Sequence, residues 1–339
     1  MTAFLIKACG PMTSLQDTGR IGVGRTGISR SGAMDALSLA EANALVGNAP
    51  GEGAVELMLA GMTFQVVGGP ARIALAGAAM AVQVDGRPLP PSASCTVPED
   101  ATVTIAAAGA GIYAYLAVAG GFDVPAQMGS VSLQPRARIG GWHGRAFQAG
   151  DRMPLRCADD PAGPEHDLPP WAPDDDPIRV VLGPQDDLFP PHAVKAFLGQ
   201  GYTVSEEADR MGYRLAGSPI EHLRGYNIVS DGLVAGSVQV PGSGLPIVMM
   251  SDHQTTGGYP KIATVLTVDR GRLAQRRPGA PVRFAAVSVE EAQALLLARE
   301  AAIADLPARR RPWRDGLPTV EELLALNLAG EAQDALADR

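Results

Sequence analysis

Glycine and proline interrupt this chain about once every five residues, with 40 glycines and 28 prolines among 339 positions. Glycine loses the most backbone entropy when it is ordered, and proline removes a donor and clashes with the preceding turn, so neither suits a long helix interior. Between the interruptions lie short apolar runs. The chain is therefore predicted to be mainly β with a few helices, rich in turns, and not a helical bundle. Strand candidates in the first half are 64–67, 72–76, 81–84, 102–106 and 112–118, with Asp85-Gly86 at a hairpin turn position. In the second half they are 178–182, 203–205, 238–240, 247–250, 264–268 and 282–284. The clearest helices are 35–46, closed by Gly47-Asn48, and a segment near 192–198. A third runs from Ser288, whose spacing to Glu291 reads as a capping box, to about residue 303; a fourth starts at Thr319 and ends near Gly330.

A single core rarely serves more than about 250–300 residues, so two domains are expected. Charge and proline accumulate between residues 159 and 177, which reads as the linker. The expected layout is a β-rich unit at 1–158 with one early helix, a second unit at 178–303, and a peripheral helical tail at 304–339. A net charge of −8 argues against a nucleic-acid surface, and Arg309-Arg310-Arg311 reads as a solvated run. Cys9, Cys95 and Cys157 are far apart and odd in number, which fits a reducing cytoplasm better than a disulfide framework or a zinc site. The apolar stretch 105–122 carries Gly109, Gly111, Gly120 and Gly121, so it reads as buried strands and not a membrane span.

Gly22 to Gly27 matches the dinucleotide pattern GxGxxG, but it lacks a buried strand before it and a helix after it. No P-loop or GxSxG elbow occurs. None of the five histidines is paired at metal-ligand spacing. His253 alone lies inside a motif, where it reads as an ordinary hydrogen-bonded side chain ahead of a base. That motif, at 246–261, is the densest polar stretch in the chain. An apolar strand runs into Asp252, His253, Gln254, Thr255 and Thr256, then Gly257-Gly258 and Tyr259-Pro260-Lys261. So many donors and acceptors beside a core are costly unless partnered or facing a ligand.

Two further clusters stand out. Ser14 to Arg20 packs Gln16, Asp17 and Arg20 into one turn, and Ser31 to Asp35 leads into the helix that carries Asn43. Ser31 or Asp35 can equally cap that helix. Arg210 and Arg214, four apart around Gly212 and Tyr213, can clamp an anion, or pair with Glu206, Glu207 or Asp209.

Taken together, these motifs resemble the KipA-like family, also called allophanate hydrolase subunit 2-like or biotin-dependent carboxyltransferase-like. The resemblance rests on SLQDTGR (14–20), SGAMD (31–35), VELMLAG (55–61), LAVAGGFDVP (116–125), VLGPQDDLF (181–189), DRMGYRL (209–215) and the long block at 228–265. It covers the chain from about Cys9 to Leu297. The family includes the C component of prokaryotic 5-oxoprolinase and the carboxyltransferase half of urea carboxylase. The resemblance implies two cyclophilin-like β-barrel units in tandem. It also implies one piece of a larger enzyme, working with a KipI-like chain and a LamB/YcsF-like chain on a small amide or lactam, with ATP bound here or on a partner.

The implied catalytic residues are Asp252, Gln254 and Lys261. The implied substrate-binding residues are Thr255, Thr256, Gly257, Gly258, Tyr259, Arg210, Arg214, Gln239, Gln16, Asp17, Arg20, Asp35 and Asn43. Within the family three readings stay open: ATP-dependent 5-oxoproline hydrolysis, biotin-dependent carboxyl transfer with biotin carried on a partner, and non-catalytic binding of a KipI-like regulator. The chain has no Met-Lys-Met biotinyl motif.

Overall fold

The computed structural model describes residues 1–156 and 164–313. The expected helix from Thr319 and residue Cys157 lie outside those residues.

The first half forms two antiparallel sheets packed face to face. One has six strands in the order Arg152–Pro154, Ala3–Cys9, Met62–Val67, Thr102–Ile105, Val82–Val84, Arg87–Pro88. The other has five, in the order Ser14–Gln16, Ala54–Met58, Ala110–Val118, Ala71–Ala79, Ser94–Val97. The hairpin at Asp85-Gly86 forms as read, with positive φ at both positions (48° and 80°), the geometry that a two-residue turn between right-twisted strands demands.

Alternation along the five-stranded sheet builds two cores at once. Ile73, Leu75, Leu116 and Val118 face the six-stranded sheet and join Phe4, Phe64 and Val103. Ala74, Ala76, Tyr115 and Ala117 point the other way, toward helix α1 (Ala36–Leu45), and their core continues into the second half through Val180, Phe197, Val248 and Ile262. The apolar stretch 105–122 thus contains a central strand buried on both faces.

The second half is built on an eight-stranded sheet, beside which Asp231–Gly232 and Thr256–Gly257 pair as a short ribbon. The sheet order is Pro281–Val282, Tyr202–Val204, Gly212–Ala216, Ile247–Met249, Ser237–Gln239, Lys261–Val265, Ile178–Leu182, Phe284–Ala286. The two end strands, Pro281–Val282 and Phe284–Ala286, are separated in sequence by Arg283 alone. A single extended segment therefore seals both edges, and the sheet is a near-closed barrel. Around it lie helices α2 (Pro191–Gly199), α3 (Thr267–Ala274), α4 (Val289–Ala304) and α5 (Leu306–Arg309). Helix α4 opens on the expected capping box of Ser288 and Glu291.

The tandem-barrel expectation is overturned. Among the described residues only the C-terminal sheet closes; the N-terminal sheets stay open. Their edges are blunted by other means: the proline-bearing strand Arg87–Pro88 ends one, while the edge strand Ser94–Val97 meets the stretch expected as the linker, where Thr96 N donates to Glu165 Oε1 at 2.7 Å. A strand with alternating burial reads the same in a sandwich or in a barrel, because closure depends on which segment pairs with the last edge. A second difference lies at 264–268. The strand there ends at Val265, and α3 begins at Thr267.

Candidate functional site

A buried ionic cluster joins the two halves. Arg210, just before the strand Gly212–Ala216, is 4% exposed; Asp252 and Glu56 are 4% and 1% exposed. Arg210 Nε donates to Asp252 Oδ2 at 2.7 Å and Nη2 to Asp252 Oδ1 at 3.2 Å. Its Nη1 donates to Glu56 Oε1, and Nη2 also reaches Gly32 O at 2.8 Å. Glu56 Oε2 accepts from the Tyr115 hydroxyl at 2.7 Å and from Met34 N at 3.0 Å. The two carboxylates hold the Arg210 guanidinium firmly charged against its burial.

Asp35 belongs to the same junction. Its carboxylate caps α1, accepting from Leu37 N, Ser38 N and Ser38 Oγ, and it takes a further bond from Gln275 Nε2 at 3.0 Å. Gln275 Oε1 accepts from Ile112 N at 2.8 Å and Tyr113 N at 3.0 Å, tying α3 to the central strand.

A second network shapes the loop after Ser14–Gln16. The Asp17 carboxylate accepts from Gly19 N, Ser130 Oγ, Ser132 Oγ and Val131 N, all within 2.8 Å. Gln16 Nε2 donates to Ser14 Oγ at 3.0 Å, and Asn43 Nδ2 reaches Leu39 O and Glu52 O at 3.2 and 2.8 Å. Arg20, at the end of this loop, is 1% exposed. Arg20 Nη2 donates to Ser132 O at 2.6 Å, whereas its Nε and Nη1 have no partner among the described residues. Gly140 makes room for this side chain, since a Cβ there would lie 2.3 Å from Arg20 Nη2.

Arg20 backs the wall of a cavity of about 380 Å³ where the loop at 20–30 meets the barrel, with its two unpartnered nitrogens closed to solvent. Arg30, His253, Thr255, Thr264 and Arg270 also line it. Among the described residues its lining has three guanidinium groups and no carboxylate. The Arg270 pKa falls to about 10, driven by burial and then by the charge of Arg30, and its Nε has no partner among the described residues. Burial also lowers the His253 pKa, with Arg270 adding to the effect. His253 Nδ1 lies 2.6 Å from Gln254 O. A carbonyl only accepts, so Nδ1 carries the proton and Nε2 keeps its lone pair. The arrangement offers fixed positive charge for an oxyanion and a neutral imidazole able to accept a proton.

The remaining predicted residues lie elsewhere. Lys261, with a side chain 3% exposed, donates to Asp231 Oδ2 at 2.5 Å and Gly232 O at 3.0 Å. Gln239 is buried behind Gly257, where a Cβ would lie 2.5 Å from its Nε2. Gln254, Thr256 and Tyr259 are exposed, and Gly258 lies beside Ile228 O. Arg214 pairs with Glu207 at 3.0 Å on the surface, away from buried Arg210, so the two arginines do not form one clamp. Of the predicted set, the structure brings Arg20 and Thr255 to the cavity.

Sequence reading passed over Arg30, Arg270 and Glu56, and it set His253 behind its neighbours as an ordinary hydrogen-bonded side chain. Glu56 carried a signal, as a lone carboxylate in the apolar run VELML. Arg270 carries none, because it lies just past the strand expected at 264–268 and outside every expected helix. A larger cleft of about 480 Å³ lies beyond Asp35 and Gln275, between α1, α3 and α4. Its lining mixes both charges, and Arg272 there is already paired with Asp174 at 2.5 Å.

The carboxyltransferase domain family, subdomains A and B, matches residues 26–286. The chain is 40% identical over 283 residues to the C component of 5-oxoprolinase from Haemophilus influenzae, covering 83% of this chain and 90% of that one. It is 38% identical to the corresponding C component from Escherichia coli, covering 84% and 91%. Among solved structures, Kluyveromyces lactis urea carboxylase superposes with a TM-score of 0.82 at 27% identity, covering 90% of this chain but 29% of that much longer one. With its ionic junction, its arginine-lined cavity and these relatives along most of its length, the chain belongs to the carboxyltransferase-domain family that includes the C component of 5-oxoprolinase.

Proposed function

We propose that this chain is the C component of an ATP-dependent 5-oxoprolinase and helps open the lactam of 5-oxoproline to L-glutamate. The observation that carries the reading is the near end-to-end similarity to two proteins named as that component, of which the chain covers 90% and 91%. The cavity supports it chemically. A lactam carbonyl resists water, and its cleavage develops negative charge on oxygen. Guanidinium groups held in a buried site stabilise such charge at little reorganisation cost. His253 Nε2 stands ready to accept a proton, and Thr255 supplies a hydroxyl.

ATP would activate the lactam oxygen by phosphorylation. We propose that the nucleotide binds on a partner chain. The partners proposed are a KipI-like chain and a LamB/YcsF-like chain, in the cytoplasm. Among the described residues no helix is long and apolar enough to cross a membrane.

A second reading is carboxyl transfer from biotin on a partner chain, favoured by the family's carboxyltransferase description and by the likeness to urea carboxylase. Glutamate release from 5-oxoproline and ATP by the co-purified chains decides between them. Release that requires this chain supports the first reading. An assembled, inactive complex carrying covalent biotin overturns it in favour of the second.

A further inference from the structure

We propose that the cleft between α1, α3 and α4 is a second binding site, one that takes an organic ammonium ion with an apolar body. The site stands apart from the arginine-lined cavity, and the inference does not depend on the 5-oxoprolinase reading.

The cleft lies where the two halves meet, since α1 comes from the first and α3 and α4 from the second. Its volume is about 480 Å³, and small-molecule sites of roughly 300–1,000 Å³ favour such junctions. Pro169, Pro170, Trp171, Leu296 and Ile303 give it apolar walls. Its charge balance is the reverse of the arginine-lined cavity. Asp35, Glu41, Asp174 and Glu300 line it against Arg272 and Arg299, an excess of carboxylate that favours a cation.

Most of these carboxylates are already engaged or open to bulk water. Asp174 is held by Arg272, Asp35 is spent on the α1 cap and Gln275, and Glu300 is exposed. Glu41 is the exception. It sits inside α1, half-buried, and makes no hydrogen bond or ion pair among the described residues. Its oxygens are not sealed from solvent, so they are free to meet a ligand in the cleft. Arg309 and Arg299 pull its pKa down, yet burial and then the Asp35 charge outweigh them and push it up to about 7. The two arginines therefore leave Glu41 unsatisfied. A carboxylate withdrawn from water without a donor is costly, and an arriving ammonium supplies charge-assisted hydrogen bonds. An indole face also attracts a cation, and Trp171 lines the same cleft. An occupant would join α1 to α3 and α4 across the junction that Gln275 already bridges.

Titration calorimetry of the full chain with benzylammonium, its neutral analogue benzyl alcohol and its anionic analogue benzoate tests the proposal. One charge-assisted contact predicts that benzylammonium binds about 10-fold tighter than benzyl alcohol near pH 8, with benzoate weakest. Glu41 must lose its proton to hold the cation, whereas benzylammonium stays charged through neutral pH. Affinity should therefore fall about 10-fold from about pH 8 to about pH 6. Binding should release a proton, read as a heat that varies with the ionisation enthalpy of the buffer. Glu41→Gln keeps the shape of the cleft and should erase both the preference and the pH dependence. That result assigns them to Glu41 over the charged groups around it, which are Asp35, Asp174, Glu300, Arg272, Arg299 and Arg309. Leu296→Trp, on the exposed side of α4, fills part of the cleft without changing its charge and should weaken benzylammonium binding. Equal affinity for benzylammonium and benzyl alcohol overturns the site. So does a preference that survives Glu41→Gln, or tighter binding of benzoate. None of these outcomes bears on glutamate release, so the 5-oxoprolinase reading stands or falls separately.

Discussion

Replacing Arg210 with methionine should destabilise the chain far more than losing any one surface charge. The substitution leaves Asp252 (4% exposed) and Glu56 (1% exposed) without their shared cation. Glu56 Oε2 keeps the Tyr115 hydroxyl and Met34 N, but Glu56 Oε1, both Asp252 oxygens and Gly32 O lose the bonds that Arg210 gives them. Breaking a buried ion pair from one side costs about 3–5 kcal/mol, mostly from stranded charge. At roughly 2–4 °C per kcal/mol, the melting temperature should fall by about 6–20 °C. The control is Arg214→Ala, whose pair with Glu207 is exposed on both sides (56% and 73%) and should contribute at most about 1 kcal/mol. Adding Glu56→Gln and Asp252→Asn to Arg210→Met should recover part of the loss, since an amide is cheaper to bury than a carboxylate. Urea denaturation of the four proteins measures each difference. A loss in Arg210→Met no larger than in Arg214→Ala would refute the reasoning, because the cluster would then be solvated and not a buried lock between the halves.

Other expectations follow from single groups. His253 has a pKa lowered by burial, so as pH falls through about 6.5 the unfolded chain takes up a proton that the folded imidazole refuses. Stability should decline with acid in that window, and His253→Asn should flatten the decline in pH-dependent melting curves. Glu41 is pushed up to about 7, chiefly by burial and then by Asp35, so the folded chain holds a proton there that the unfolded chain releases above about pH 4.5. Its contribution is lost as pH rises toward 7, and Glu41→Gln should stabilise at pH 8 by on the order of 1 kcal/mol, read by denaturant titration. A Cβ on Gly271 would lie 2.5 Å from Asp35 Oδ1, whereas one on Gly199 meets nothing within 4 Å. Gly271→Ala should therefore cost about 1 kcal/mol or more by displacing the α1 cap, and Gly199→Ala should be neutral or slightly stabilising in the same assay.

Local pattern made much of the fold legible. Glycine and proline spacing announced short strands, the Ser288–Glu291 spacing announced α4, and Asp85-Gly86 announced its hairpin, because each rests on contacts a few residues apart. Closure was not legible. It hinges on Arg283 separating two short strands that pair with opposite edges of one sheet, which residue order does not advertise.

The cavity divides in the same way. Residue types alone flag Arg20 and Thr255, one in a turn that packs amide, carboxylate and guanidinium together and the other in a polar run beside an apolar strand. They flagged Arg210 and Asp252 as well, without revealing that the two bind each other and Glu56. Sequence by itself determined which polar groups would need partners. Tertiary structure decided which ones found them: Arg210 met Glu56 from 154 positions away and was neutralised, while Arg20 and Arg270 met at a cavity with no carboxylate among the described lining residues. The physical reason is that a charge's worth depends on what faces it across space, and sequence spacing does not carry that information.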